Sequence, residues 1–326
     1  MHSPQFIQLH QDDASGLAAE AAAGLLAHPA RVSPKFFYDA LGSRLFDAIT
    51  ELDEYYPTRT EAAILAAQGR AIAAAVRACF GPGGLPTLVD LGAGNCAKAA
   101  ALFGPLAPQR YVAIDISADF LQQALANLQR QHPAMQMVGV GLDFSGELAL
   151  PAGVVPGPAL LFYPGSSIGN FQPDLALRLL KQAHALAAGG ALLIGVDLVK
   201  PAAVLEPAYD DGLGVTAAFN LNLLNNLNRL LGSDFRVRDW RHVALFDAGL
   251  SRIEMHLEAC KAVTVRWPGG ERGFAAGERL HTENSYKWRV DDFAALLHDA
   301  GFGPVTTWTD AQGWFAVMLA QAGPAG

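Results

Sequence analysis

The run Thr87-Leu88-Val89-Asp90-Leu91 stops abruptly at Gly92-Ala93-Gly94 and passes into the helical stretch Ala97 to Phe103. A short apolar run, a glycine turn and a helix in that order define a strand-turn-helix unit, because glycine turns the chain sharply without a side-chain penalty. Further apolar runs follow at Tyr111 to Ile116, Met135 to Val140, Ala159 to Tyr163 and Ala191 to Val199. Helix-like stretches such as Phe120 to Gln129 and Leu175 to Ala188 separate them. Strands buried on both faces read as unbroken apolar runs, and their alternation with helices builds a parallel, doubly wound α/β sheet of Rossmann-like type.

Upstream, Glu61 to Ala78 reads as an alanine-rich helix, opened by Thr58 and Glu61 as a capping box and closed by Gly81-Pro82-Gly83-Gly84. After Lys200-Pro201 the rhythm changes. Val204 to Leu231 reads as helix with a candidate break at Gly212-Leu213-Gly214, and two-residue alternation marks strands over Arg252 to Thr264 and Leu280 to Trp288. This is an inserted α+β lobe. A helix over Val290 to Gly301 and strands at Val305 to Trp308 and Trp314 to Ala320 return the chain to the first sheet, ending it with an antiparallel strand. At 326 residues the chain exceeds what one core usually fills, so two domains are expected. Residues 60–200 and 287–326 form the first, and residues 1–59 and 201–286 the second.

Composition narrows the chemistry. Lys plus Arg number 23 against 31 Asp plus Glu, a net charge of −8, and no segment gathers basic residues. A nucleic-acid backbone or an anionic membrane is therefore disfavoured against a small-molecule substrate. Cys79, Cys96 and Cys260 are odd in number and far apart, which argues for a reducing compartment and against a disulfide frame or zinc site. Met1 to His10 lacks a basic, then apolar, leader, and Ala185 to Val199 is interrupted by Gly189, Gly190, Gly195 and Asp197. The expected address is the cytoplasm, with no membrane partner and no metal. None of the nine His residues forms a ligand cluster, and His256 and His281, on expected strands, read as solvated or capped.

The glycine turn also points to a ligand. Asp115 ends the next strand about 20 residues beyond the turn, where a carboxylate accepts the ribose hydroxyls of a nucleoside. The third glycine of a dinucleotide fingerprint is missing, since Asn95-Cys96-Ala97 follows. S-adenosylmethionine, which has no pyrophosphate, fits better than NAD. Asp143 and Phe144, after the third strand, offer adenine a hydrogen bond and an apolar contact, or else cap a helix beside a core aromatic. At the end of the fourth strand, Gly165-Ser166-Ser167-Ile168-Gly169-Asn170 gathers hydroxyls and an amide at the carboxyl edge of the sheet. Cys96 reads as apolar filler.

Several longer motifs, in chain order, resemble one family. Phe36-Phe37-Tyr38-Asp39-Ala40-Leu41-Gly42-Ser43, Phe46-Asp47, Glu54-Tyr55-Tyr56-Pro57-Thr58-Arg59-Thr60-Glu61, Gly165 to Asn170, Tyr209-Asp210-Asp211 and Thr282-Glu283-Asn284-Ser285 are similar to those of the ergothioneine-pathway histidine-specific Nα-methyltransferases. The resemblance implies a class I methyltransferase-like fold and three methyl transfers from S-adenosylmethionine to the α-amino group of L-histidine, giving hercynine. It implies that Gly92, Lys98, Asp115, Asp143 and Phe144 hold the cofactor. Tyr55, Asn170 and Tyr209 would bind the amino-acid backbone, with Ser167 in the same loop as Asn170, and Glu283 and Ser285 the imidazole. Tyr38 would lie near the amine as catalytic residue, and a monomer is expected. Independently, residues two apart in a strand share a face, so Glu283 and Ser285 are able to meet both ring nitrogens. Met255, in phase with Ile253 and Leu257, would line that ring or simply fill core. Ser167 stands where some family members carry threonine. The alternatives are a same-fold enzyme acting on another aromatic amino acid, such as a tryptophan derivative, and a catalytically silent binding module.

Overall fold

The computed structural model describes residues 2–9 and 14–323. In chain order its first elements are β1 (Gln5–Gln8), α1 (Ala14–Leu26), α2 (Ala40–Thr50), α3 (Tyr56–Phe80), β2 (Thr87–Leu91), α4 (Ala97–Leu106), β3 (Arg110–Asp115), α5 (Ala118–Gln131), β4 (Gln136–Gly141), β5 (Ala159–Tyr163), α6 (Pro173–Ala187) and β6 (Ala191–Asp197). Then follow α7 (Ala202–Leu205), α8 (Val215–Leu231), β7 (Trp240–Asp247), β8 (Arg252–Ala259), β9 (Val263–Trp267), β10 (Gly270–Phe274), β11 (Arg279–Tyr286), α9 (Val290–Asp299), β12 (Phe302–Thr309) and β13 (Phe315–Ala322). Two compact units result, one from Met1–His10, Pro57–Val199 and Lys287–Gly326, the other from Gln11–Tyr56 and Lys200–Tyr286.

The first unit holds an eight-stranded sheet in the order β1-β4-β3-β2-β5-β6-β13-β12. Its pairings are parallel except that β13 runs antiparallel to both neighbours. The fold is the expected α/β sheet closed by an antiparallel strand. Alternate residues of each strand serve opposite faces: Val89, Val112, Val138 and Leu161 pack with α6 and α9, while Leu88, Tyr111, Met137 and Leu160 pack with α3, α4 and α5. Both faces being covered is why these strands read as unbroken apolar runs.

The N-terminal segment departs from expectation, because Gln5–Gln8 does not join the insertion but pairs with β4. Glycine permits it. A Cβ on Gly139 would stand 2.7 Å from Phe6, and one on Gly141 2.4 Å from Gln8. Helix α3 begins at Tyr56 and not at Glu61, so the capping box does not form. By length and mean hydropathy, 1.3 over its most apolar stretch, α3 is the one described helix able to cross a membrane. Here Ile64, Ile72, Ala73 and Val76 lie in the core.

In the second unit, β11, β8 and β7 form an antiparallel sheet and β9 pairs with β10 as a hairpin. The long helix expected over Val204 to Leu231 is α7, a short 3-10 turn at Glu206–Ala208 and α8. The break falls at the Gly212-Leu213-Gly214 segment, after which Asp211 caps α8 through the N–H groups of Val215 at 2.9 Å and Thr216 at 2.7 Å. The strand expected over Arg252 to Thr264 is two strands, and β7 was not anticipated. The Phe-Tyr-Asp motif has a structural cause: Asp39 caps α2 through Gly42 N at 2.7 Å, accepts from Asn222 on α8 at 2.9 Å and pairs with Arg229 at 2.8 Å. Phe37, fully buried, and Asp39 together fix Tyr38 between them.

Gly42 leaves room for that motif, since a Cβ there would stand 1.7 Å from Phe37 O. Gly42→Ala is expected to destabilise the protein by roughly 1–3 kcal/mol or more, as overpacked sites do. Urea unfolding measures this, and an unchanged midpoint would contradict the packing.

Candidate active site

In the first unit, the turn after β2 holds Gly92 and Gly94 at φ of 70° and 51°, a region that favours glycine. Ile114 O accepts from Gly92 N at 2.9 Å and Ala93 N at 3.0 Å. A Cβ at Gly92 would meet only Phe144, at 4.0 Å, and one at Gly94 nothing within 4 Å, so the space over the turn is open. Asp115, half-buried at the end of β3, accepts from Gly94 N and Ser117 N, each at 2.8 Å. Burial raises its pKa while these N–H donors oppose the rise. A carboxylate has about four lone-pair sites, so these donors leave acceptor capacity for a ligand hydroxyl.

Beneath the turn, Asp90 is 1% exposed. Its Oδ2 accepts from the Tyr111 hydroxyl at 2.7 Å, while Oδ1 has no partner. Burial pushes this carboxyl up to about 7, against the Tyr111 hydrogen bond. An open glycine turn, a half-used carboxylate and an orphaned buried oxygen fit a ribose-bearing cofactor such as S-adenosylmethionine. Phe144 stands edge-to-face on Tyr163, ring centroids 5.9 Å apart. Asp143 accepts from Ser145 N at 3.0 Å, closing a turn with no helix behind it. Cys96 is buried, with its thiol pushed by that burial up to about 12, as befits filler.

Lys98 reveals a residue that reading the sequence misassigned. Its ammonium pairs with Glu61 Oε2 at 2.8 Å, and Glu61 Oε1 accepts from Gly165 N at 2.8 Å. Glu61 is 1% exposed, and a Cβ on Gly195 would stand 2.0 Å from Oε1. One carboxylate therefore clamps α4 and the loop after β5. In that loop Ser166 Oγ accepts from Asp197 N at 2.8 Å, which pins it to β6. Ser167 and Asn170 occupy the short 3-10 turn that follows, Ser167 exposed and Asn170 half-buried.

The second unit gathers the remaining candidates. Tyr38 lies against Phe46 and Phe219, with centroids 5.9 Å apart in each pair. Phe46 leads to Tyr55 at 6.3 Å and Tyr55 to Tyr209 at 6.2 Å, so an aromatic chain links three expected tyrosines through Phe46 of the Phe46-Asp47 motif, with Phe219 packed against Tyr38 and Phe46. The Tyr209 hydroxyl is 2.7 Å from Ser285 Oγ.

Glu283 and Ser285 share a face by alternation, and a bulge makes it the face of Met255. On β11, Leu280 pairs with Leu257 and His281 with His256, but beyond Thr282 the register slips so that Glu283 opposes Met255 and Ser285 opposes Ile253. Opposed residues share a face, and the extra residue moves Glu283 and Ser285 onto the face of Met255. Thr282 Oγ1 closes the bulge on Met255 O at 3.0 Å. Glu283, Ser285 and Met255 are 7%, 5% and 2% exposed. The opposite face carries His256 and His281, expected as solvated or capped and each found hydrogen-bonded. His256 is buried and bonded to Glu254 at 2.9 Å, and His281 is bonded to Asn284 at 2.9 Å. Among the described residues, no group of three or more His, Cys, Asp or Glu is placed to hold a metal.

The family described as "Histidine-specific methyltransferase, SAM-dependent" matches residues 17–322. The chain is 41% identical to the histidine N-alpha-methyltransferase of Mycolicibacterium smegmatis, over 94% of this chain and 95% of that protein. It is 40% identical to that of Mycobacterium tuberculosis, over 95% and 96%. Ergothioneine biosynthesis protein 1 of Neurospora crassa is 29% identical, over 90% of this chain and 33% of its own length.

Glu61→Gln cannot satisfy both Lys98 and Gly165 N, because its amide nitrogen only donates. Affinity for S-adenosylmethionine is expected to fall about tenfold, the scale of one lost hydrogen bond to a charged group. Calorimetry measures this, and an unchanged affinity would show that the clamp does not set Lys98.

Proposed function

The chain belongs to the histidine-specific, S-adenosylmethionine-dependent methyltransferase family, and on that premise we propose that it methylates the α-amino group of free L-histidine three times, giving hercynine for ergothioneine synthesis. The observation that carries the substrate reading is the bulged register of β11, which sets the Glu283 carboxylate and the Ser285 hydroxyl on one buried face opposite Met255 and Ile253. An acid and an alcohol side by side match an imidazole, with Glu283 accepting from one ring N–H and Ser285 bonding the other nitrogen. A site for an indole would need only one acceptor and an otherwise apolar wall.

Bound S-adenosylmethionine supplies an electrophilic methyl group on its sulfur. The chain's own residues have two tasks, binding and orientation, which in well-aligned sites account for about 7–11 kcal/mol of barrier lowering. Asp115 accepts the ribose hydroxyls, Asp143 and Phe144 receive the base, and Lys98, aimed by Glu61, meets the cofactor's carboxylate. Met255 packs beside the imidazole. Asn170 and Tyr209 donate to the substrate carboxylate, with Tyr55 beside the amino-acid backbone and Ser167 in Asn170's loop.

The α-ammonium sheds a proton before it can attack; the candidate acceptors are a water relay and Tyr38, which takes that proton only by passing its own hydroxyl proton on to water. Each product nitrogen then carries a positive charge. The ring faces of Tyr38 and Tyr55 stabilise that cation by about 0.5–2 kcal/mol each, which retains the partly methylated amino acid for the next transfer. The same reading takes the enzyme as a cytoplasmic monomer whose partner is a small molecule, in keeping with the net charge of −8.

Incubating the purified protein with S-adenosylmethionine and each common amino acid tests this. Histidine alone should release S-adenosylhomocysteine and gain up to three methyl groups by mass; turnover of tryptophan without histidine would reject the specificity. Glu283→Ala should weaken histidine binding about 100-fold, as truncating one member of a buried charged hydrogen bond does, and leave S-adenosylmethionine affinity unchanged. Equal losses for both ligands would contradict the role of Glu283.

A further inference from the structure

Behind Tyr209 runs a buried chain of hydrogen bonds whose proton placement is dictated by one carbonyl. Asn220, fully buried on α8, donates from Nδ2 to His256 O at 3.0 Å. A carbonyl oxygen only accepts, so the amide nitrogen is the atom that faces it. The same Nδ2 lies 2.8 Å from His242 Nδ1, which makes Nδ1 the bare, accepting nitrogen. The ring proton therefore sits on Nε2, which donates to Tyr209 O at 2.8 Å.

Tyr209 needs that donor. Its carbonyl lies between the 3-10 turn at Glu206–Ala208 and the start of α8 at Val215, and a carbonyl withdrawn from water must find a partner. The loop beyond is open, with Leu213 81% exposed; Tyr209 N–H bonds Glu206 O at 3.0 Å, and His242 holds the Tyr209 carbonyl from behind. His242 shares the sheet face of the substrate candidates, since it opposes Leu257 and Ala244 opposes Met255.

We propose that His242 is a positioning residue for the amino-acid substrate: in its neutral, Nε2-protonated form it locks the Tyr209 backbone, and with it the hydroxyl that meets Ser285. This rests on the reading of Tyr209 and Ser285 as substrate groups. Protonation of Nδ1 sets N–H against the Asn220 N–H and removes the bond that anchors the ring from α8, although Nε2 still donates to Tyr209 O, and turning the amide would set Asn220 Oδ1 against His256 O. The groups facing the ring are Asn220 from α8, Leu257 from β8, and the loop acids Asp210, its carboxylate 4.0 Å from Nε2 and 63% exposed, and Asp211. Burial holds His242 below the ordinary value of 6.5, outweighing the Tyr209 carbonyl and both aspartates. The ring is thus anchored at both nitrogens at neutral pH and loses its Asn220 anchor as pH falls through that lowered value, which loosens its hold on Tyr209.

Two variants and one spectrum test this. His242→Phe keeps the ring volume but leaves Tyr209 O without its donor, and the KM for histidine should rise about tenfold with S-adenosylmethionine affinity unchanged. His242→Gln, which carries an amide N–H to the Nε2 position, should restore most of the loss. It should also remove the acid-side rise in KM beyond that from the substrate's own imidazole, which titrates alike in both proteins. Long-range ¹⁵N–¹H correlation on the wild-type protein should show Nε2 protonated and Nδ1 bare, a readout that survives if His242→Phe does not fold. A proton on Nδ1, or an unchanged histidine KM in a folded His242→Phe, overturns the proposal. A wild-type protein with the expected tautomer but no histidine turnover overturns the methyltransferase reading instead, and the positioning role with it.

Discussion

A single extra residue in one strand decides what the second unit presents to a ligand. Had β11 kept the register of Leu280 and His281 against β8, Thr282 and Asn284 would share the face of Met255 and Ile253, with Glu283 and Ser285 turned to the other side. The slip at Thr282 reverses this. The bulge thereby sets a carboxylate and a hydroxyl on a buried face beside Met255, Ile253 and Leu257. Imidazole recognition is the function the chemistry matches. The aromatic chain from Tyr38 to Tyr209 and the His242 lock belong to the same unit, and each acts on groups that the bulge brings to that face.

The first unit presents the candidate cofactor site, built with few side chains. Its glycines take the left-handed backbone at the turn, Asp115 is held by backbone N–H donors, and Lys98 is paired with a carboxylate withdrawn from solvent. Glycine recurs where that economy demands space: Gly195 leaves room for Glu61, and Gly165 for the Lys98 ammonium, which stands 3.1 Å from where its Cβ would be. Charge and backbone geometry are thus fixed together by contacts within the unit.

Much of this was readable in the chain, for reasons that differ from element to element. The parallel strands β2 to β6 announced themselves as unbroken apolar runs because both their faces are covered. Asp115 was recognisable from its distance beyond the glycine turn, and Glu283 with Ser285 from their spacing in a motif. What was not readable depends on partners far along the chain. β1 is four residues long, too short to show a period, and owes its place to Gly139 and Gly141. Glu61 reads locally as a helix cap, and only the fold brings Lys98, Gly165 and Gly195 to it. The tautomer of His242 is set by an asparagine on another element, and the bulge at Thr282 is a property of two strands, not one. Local spacing finds residues that act with sequence neighbours, and it misses those that act through tertiary contacts.

The central claim is that an acid and an alcohol placed by one bulge recognise the histidine ring. The most direct measurement is a crystal structure of the protein with L-histidine and S-adenosylhomocysteine. The account predicts electron density for the imidazole beside Met255, with Glu283 and Ser285 each within hydrogen-bond distance of a different ring nitrogen. Histidine bound with its ring away from this face, or Glu283 and Ser285 on opposite sides of β11, would contradict it.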